Sequence, residues 1–352
     1  MDNEERIDAV SFANLERKPE KIACPGCGEP VFFKKGVQKM AHFAHYAHAD
    51  CSQFSEGETA LHLLGKQRLF EWLKGQGLQV EMEAWLPELC QRPDLLFLTP
   101  VGNKVVIEYQ CSPISFEDLQ KRTEGYRSKG YEVLWICGVD YRLNQTIMMK
   151  QLQFFQYSER AGYVLTTYNS SKNEISVSCT IDYNSNNQCQ QRIIIASLSE
   201  LSWEQLLRLY QGAFSAEKRV IHPRRMPLQS RNLLLHRKDP LHRRFLEQVY
   251  LMKSSLKELP NWLFEMPTKT LFYTQPCYIW KLDFLYWIQV SQQGIFHTVE
   301  LKEYIETLPI SYSIFIEKDI LLRPFYLFFQ ELQNKKIIQQ TKPGIWKQRK
   351  KL

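Results

Sequence analysis

The segment RPDLLFLTPVGNKVVIEYQCSP, residues 92–113, sets Asp94 at the head of one apolar run and Glu108 inside the next, with Gln110 two positions on. Both runs are strongly β-forming. Side chains two apart on a strand share a face, so Glu108 and Gln110 point one way while Ile107 and Tyr109 point into the core. Antiparallel pairing of RPDLLFL with VVIEYQ lets Asp94 approach Glu108. Two carboxylates so placed repel unless a cation lies between them, and oxygen ligands with open water positions suit Mg2+ or Mn2+. Such an ion polarises a phosphoryl oxygen, lowers the pKa of a bound water and neutralises the leaving group, which is what phosphodiester hydrolysis requires. The helical stretch before these strands adds Glu58, His62 and Lys66 at i, i+4 and i+8, roughly one face, with Glu58 as a further ligand or an acid behind the ligands. Without an ion, the same acids read as solvent-facing residues of a tolerant edge strand.

A second group of ligand types lies near the N-terminus. Cys24 and Cys27, spaced around Pro-Gly, form a knuckle that aims two thiolates at one point, and the second pair must come from HFAHYAHADC. His42, His45, His48 and Cys51 recur every three residues, so not all can reach one tetrahedral ion. A zinc ion here is structural: a module this small buries too little apolar surface to fold alone, and four protein ligands leave no position for water. The remaining cysteines, Cys90, Cys111, Cys137, Cys179, Cys189 and Cys277, lie in or beside apolar runs and read as core residues.

The elements that must position the acids follow from periodicity. GETALHLLGKQRLFEWLKGQG carries Leu61, Leu64, Leu69, Trp72 and Leu73 at helical spacing and ends in glycines. QVEMEAWLPEL, RPDLLFL and VVIEYQ read as strands, with TPVGNK as a turn. SFEDLQKRTEGYRSKG reads as a helix with Ser115 as N-cap and Gly130 just past its end, and YEVLWICG as a buried strand. The order is helix, three strands, helix, strand. GYVLTTYNSSKNEISVSCTID suggests a hairpin. From about residue 240 the pattern is mostly helical and closes with a helix and two short strands around Pro343-Gly344, the way a winged helix ends. The chain thus divides into a zinc-binding module (1–52), an α/β domain (53–150) and a basic, mostly helical region (151–352).

At 352 residues the chain is long enough for two or three domains, and 44% hydrophobic with 24% charged residues is the composition of a folded protein. No apolar stretch is long enough to span a bilayer, MDNEERIDAV has no basic segment followed by an apolar one, and the odd, scattered cysteines argue for reduced thiols; a cytoplasmic location is expected. The net charge is +7. From Lys218 to Arg244 there are nine Lys or Arg against one acid, Asp239, and the chain closes as KPGIWKQRKKL. Such runs neutralise phosphates, and DNA is the partner they suggest; the alternative is a solvated basic face. His222, His236, His242 and His297 count as part of that surface.

Asp94, Glu108 and Gln110 within helix, strands, helix, strand resemble the PD-(D/E)XK nuclease superfamily, with Pro93-Asp94 supplying the leading pair. More narrowly, C24PGC27, H42FAH45, ExxxH at 58–62, RPD at 92–94 and EYQCSPIS at 108–115 resemble the competence protein CoiA family over residues 20–140. The resemblance implies a restriction-endonuclease-like mixed sheet flanked by helices. It also implies divalent-metal ligation by Asp94 and Glu108 and a zinc set of Cys24, Cys27, His45 and Cys51, with His42 as the substitute for His45. The third superfamily position is usually lysine; Gln110 can orient a water but cannot supply positive charge or shuttle a proton. Arg122 and Tyr126, one turn apart on the following helix, could supply that charge and a phosphate contact. The implied activity is cleavage of single-stranded or branched DNA in natural transformation, alongside recombination proteins. The competing expectation is a non-catalytic DNA-binding recombination mediator that keeps the fold.

Overall fold

The structure is a computed structural model that describes residues 12–19, 21–24, 28–35, 42–46, 59–210, 224–291 and 294–350. The chain forms two compact units, one of Met1–Arg142 with Thr166–Val177 and Ile194–Leu209, the other of Leu143–Leu165, Ser178–Ile193 and Tyr210–Leu352. The first unit therefore takes in chain beyond residue 150.

The first unit opens with the antiparallel hairpin β1 (Val31–Lys34) and β2 (His42–His45). Next come α1 (Ala60–Lys74), β3 (Gln79–Met82), β4 (Leu95–Leu98), β5 (Lys104–Gln110), α2 (Phe116–Ser128) and β6 (Glu132–Gly138), the order the sequence suggested. Further along the chain come α3 (Met149–Leu152) and β7 (Gln156–Ser158), which belong to the second unit, then β8 (Gly162–Asn169), β9 (Glu174–Tyr183) and β10 (Cys189–Ser197), each with residues of both units, and α4 (Trp203–Tyr210). The mixed sheet has the order β10-β9-β8-β6-β5-β4-β3, with β7 beside β8. β3, β4 and β5 pair antiparallel through short turns, whereas β5 and β6 are parallel and need a crossover, which α2 provides.

Local chemistry fixes the two helices that flank the acids. Thr59 caps α1, its hydroxyl accepting from the His62 N–H at 3.2 Å, and Ser115 caps α2 by accepting from the Asp118 N–H at 3.0 Å. Gly130, at φ +76°, takes the left-handed position just past α2 that a side chain would resist. On the α1 side, Leu69 and Leu73 are buried in the same core as Leu95, Phe97, Ile107 and Tyr109; a Cβ on Gly65 of α1 would lie inside the Tyr109 ring. The opposite face is covered as well: Val106 packs with Tyr126 and Tyr131. The sheet has no water-facing side here, which is why β5 reads as a nearly unbroken apolar run and why Glu108, expected on an open face, is buried.

The second unit is mostly helical, with α5 (Leu228–Leu234), α6 (Pro240–Leu251), α7 (Cys277–Val290), α8 (Thr298–Glu306) and α9 (Lys318–Asn334). Short strands join them: β11 (Arg224–Arg225) pairs with β12 (Glu265–Met266), and β13 (Ile295–His297), β14 (Ile338–Lys342) and β15 (Ile345–Gln348) form a three-stranded sheet. Its core gathers Trp280, Phe284, Phe325 and Phe328. Two residues assigned to a basic surface are inside. Arg231 is buried with its guanidinium 4.3 Å from the Phe264 ring centre and a hydrogen bond to Asn261, and His242 is buried between Asp239 and Tyr278, each at 2.8 Å. The doubly bonded imidazole is satisfied without water, whereas Arg231 relies on the Phe264 ring and one hydrogen bond, its Nε and Nη1 having no acceptor among the described residues. Conversely Cys90, expected in the core, is exposed in the turn between Leu86 and Gln91. Among the described residues no helix is long and apolar enough to cross a membrane.

Candidate functional site

The β4–β5 ladder pairs Leu95 with Ile107, so Asp94, one step before β4, stands opposite Glu108. The Tyr109 N–H donates to Asp94 Oδ2 at 2.8 Å, which draws the carboxylate onto the β5 backbone beside Glu108. The two acids are then held from different helices. His62 Nε2 on α1 is 3.4 Å from Asp94 Oδ2, and Lys66 Nζ, one turn on, is 3.7 Å from Asp94 Oδ1. From α2, Arg122 and Tyr126 both donate to Glu108 Oε1 at 2.6 Å.

Glu83 completes the group. It sits one residue past β3 with φ +55°, a left-handed backbone that a glutamate adopts only at a cost, and its N–H donates to the Asp94 carbonyl at 3.0 Å. Its carboxylate meets Lys66 at 2.5 Å and Arg92 at 3.0 Å. Three carboxylates, Glu83, Asp94 and Glu108, thus face three permanent cations, Lys66, Arg92 and Arg122. Lys66 is 1% exposed. A buried ammonium is tolerable only when paired, and its two partners here are acids from separate strands.

Burial by itself would raise the Asp94 carboxyl, but the His62 hydrogen bond, the Lys66 charge and the Tyr109 N–H outweigh it and hold Asp94 well below the usual carboxylate range. Glu108 moves the other way: its burial pushes the carboxyl up, against the opposing pull of the Arg122 guanidinium and the Tyr126 hydroxyl. Burial also raises the Tyr126 hydroxyl, which stays a donor. Two donors at 2.6 Å on one oxygen are the contacts of an ionised acceptor.

The residues singled out in the sequence fall unevenly around this point. Asp94, Glu108, His62 and Arg122 come together. Gln110 lies at the end of β5 with its amide donating to the Ser112 carbonyl at 2.7 Å. Glu58 lies outside the described residues. Of the zinc set, Cys24 is buried, and a turn closes behind it, with Gly28 N–H donating to the Cys24 carbonyl and Cys24 N–H to the Glu29 carbonyl, both at 2.8 Å. His45 pairs across the hairpin with Val31. Cys27, His48 and Cys51 lie outside the described residues, as does the side chain of His42. Among the described residues no group of three or more His, Cys, Asp or Glu side chains is placed to hold one metal ion.

The donor set suits a hard divalent cation. Glu108 Oε2 receives neither of the hydrogen bonds on Oε1, while Asp94 Oδ1 takes no hydrogen bond but faces the Lys66 ammonium at 3.7 Å, so a cation there would share Asp94 with Lys66. Sequence reasoning missed Glu83 and Arg92, and took Lys66 only as a residue of the helix face. The signal for Lys66 was its i+4 spacing from His62; for Glu83, the alternating acids of QVEMEAW.

Comparison with known proteins gives the chain a family. Residues 58–211 match the model of the competence protein CoiA nuclease-like domain, and residues 6–54 that of the CoiA N-terminal domain, together more than half of the chain. A curated relative, competence protein CoiA of Bacillus subtilis (strain 168), is 38% identical over 133 residues, which take in 38% of this chain and 35% of that protein. No solved structure matches. With both family domains in order and the paired acids inside the nuclease-like one, the chain belongs to the competence protein CoiA family.

Proposed function

We propose that the chain is a metal-dependent nuclease that hydrolyses phosphodiester bonds in single-stranded or branched DNA, and that Asp94 and Glu108 would hold one Mg2+ or Mn2+. The observation that carries this reading is the β4–β5 register, which sets the two acids opposite each other. The ion, when bound, supplies Lewis-acid charge to the phosphoryl group. Lys66 brings the positive charge that Gln110 lacks, from the helix instead of the strand. His62 and the Tyr109 N–H orient Asp94; Arg122 and Tyr126 orient Glu108. The Arg122 Nε–H has no acceptor among the described residues, and a phosphate oxygen is the acceptor we assign to it. Gln110, with its amide N–H tied to Ser112, keeps a carbonyl oxygen to align water.

Within the same reading, Cys24, Cys27, His45 (or His42) and Cys51 hold a structural zinc, the end of the second unit is winged-helix-like, and the basic C-terminal region holds DNA. The relative's name supports a role in competence, and in this reading the substrate is DNA entering during natural transformation, handled in the cytoplasm with recombination proteins.

Purified protein is incubated with linear, single-stranded and junction DNA in Mg2+ or Mn2+, beside Asp94→Ala and Glu108→Ala. Cleavage that both substitutions abolish supports the nuclease. One feature favours the non-catalytic mediator: the three acids are already balanced by three cations, and Gln110 replaces the usual lysine. DNA binding without cleavage in all three proteins is the result that reading requires.

A further inference from the structure

The last elements of the second unit run α7, β13, α8, α9, β14, β15, and the three strands lie in the order β13-β15-β14, antiparallel throughout. The β14–β15 hairpin is fixed from below. Ile338 is buried, and Trp346 turns inward against Phe329, at 5.0 Å between ring centres, and Phe296, at 6.5 Å. Pro343 and Gly344, the latter at φ +75°, make the turn, and the Gly344 carbonyl accepts from the Thr298 N–H at 2.9 Å, which pins the tip to the start of α8. The outward side is basic. Lys342, Lys347, Arg349 and Lys350 are all exposed, residues 335–352 contain no acid, and none of these four cations has an acidic partner among the described residues.

We propose that this hairpin is a wing that grips the phosphates of duplex DNA without reading its sequence. The choice of DNA among polyanions rests on the function proposed above; the shape and charge of the hairpin do not. Lys342 and Lys347 on the hairpin strands, with Arg349 and Lys350 just past β15, match a stiff, regular polyanion, and a duplex carries twice the charge per unit length of a single strand. Single-strand binding also wants exposed aromatic rings on which bases stack, and Trp346 and Phe296 face the core instead. Helix α9 is poorly suited to reading bases. Its link to α8 runs over residues 307–317, where helix-turn-helix motifs use a turn of about 3–4 residues. Its cations are engaged as well: Lys318 with Glu306, Arg323 with Tyr157 at 2.8 Å. Contact through phosphates alone gives affinity and register but no sequence preference.

The test uses the full chain in EDTA, so that no strand is cut, and measures fluorescence anisotropy with two short duplexes of unrelated sequence, a single strand, an RNA duplex and vesicles rich in phosphatidylserine. In Lys342→Gln/Lys347→Gln/Arg349→Gln/Lys350→Gln, duplex affinity should fall at least about tenfold and the log–log salt slope should flatten by about 3.6, or about 0.9 for each lost phosphate contact. Both duplexes should bind wild type equally within about twofold. Exposed Lys257→Gln should change neither quantity, and an unchanged circular dichroism melt shows that the quadruple variant folds. Unaltered affinity and slope in the quadruple variant, tenfold preference for one duplex sequence, or tighter binding to RNA or vesicles would each overturn the wing. Asp94→Ala should keep full duplex affinity: wing-dependent binding without any cleavage would sink the nuclease alone, and cleavage without wing-dependent binding would sink the wing alone.

Discussion

Replacing Lys66 with methionine removes one charge from the buried network and keeps the length of the side chain. Lys66 Nζ touches Glu83 at 2.5 Å and lies 3.7 Å from Asp94 Oδ1, with the lysine side chain 2% exposed. Breaking a fully buried pair by deleting one partner costs about 3–5 kcal/mol. The loss here should be smaller, because Glu83 is 31% exposed and keeps Arg92, while Asp94 keeps the Tyr109 N–H and His62. A cost of about 2–3 kcal/mol follows, or a melting temperature lower by roughly 5–10 °C for the first unit, read by circular dichroism in EDTA. Magnesium should then act differently on the two proteins. In the variant a divalent cation at Asp94 restores the missing positive charge, so millimolar Mg2+ should raise its melting temperature more than that of wild type. Cleavage should fall by about 10²-fold, the loss typical of one preorganised donor. A variant that melts with wild type in EDTA, or gains no more from Mg2+ than wild type does, would show that Lys66 is not part of an electrostatic site.

Gly65→Ala places a Cβ 2.0 Å from the Tyr109 ring, so the ring must move and, with it, the amide that holds Asp94; a stability loss of about 1–3 kcal/mol in urea unfolding is expected, and a neutral result would contradict the packing. Asp94 has a folded pKa below its unfolded value, so its contribution to stability is present above about pH 4 and is lost as the pH falls further. Asp94→Asn should therefore be less stable than wild type at neutral pH and lose less on acidification in EDTA; parallel acid limbs would contradict that assignment. Tyr126→Phe leaves Glu108 short of one donor and should cost about 1–3 kcal/mol in the same unfolding assay, where no change would mean that Arg122 alone satisfies the carboxylate. Elemental analysis of purified protein should find one zinc per chain that Cys24→Ser removes, and a zinc-free, folded wild type would remove the knuckle.

How far the sequence carried the reading differs from residue to residue. The pairing of Asp94 with Glu108 was legible because TPVGNK closes a short turn between two strands whose register their apolar pattern then sets. The Ser115 cap and the Gly130 stop were legible because each rests on one local interaction. Glu108 as a buried residue was not, since its burial depends on α2 packing over that face. Lys66 reads as the polar edge of an amphipathic helix until Glu83, from a strand end with a left-handed backbone, is brought onto it. Arg231 and His242 illustrate the reverse: in a basic run they look like surface, and only Phe264, Asn261 and Tyr278 from distant segments make them interior. The continuation of the sheet through β8, parallel to β6, rests on a long-range pairing with no local marker.

The central claim is that Asp94 and Glu108 would hold one divalent cation together. Crystals soaked in Mn2+ and measured at the manganese absorption edge test it directly. The account predicts a single anomalous peak at about 2.1–2.3 Å from both Asp94 Oδ1 and Glu108 Oε2. A peak on one carboxylate alone, or none at the site while Lys66 and Arg122 keep their acids, would contradict it.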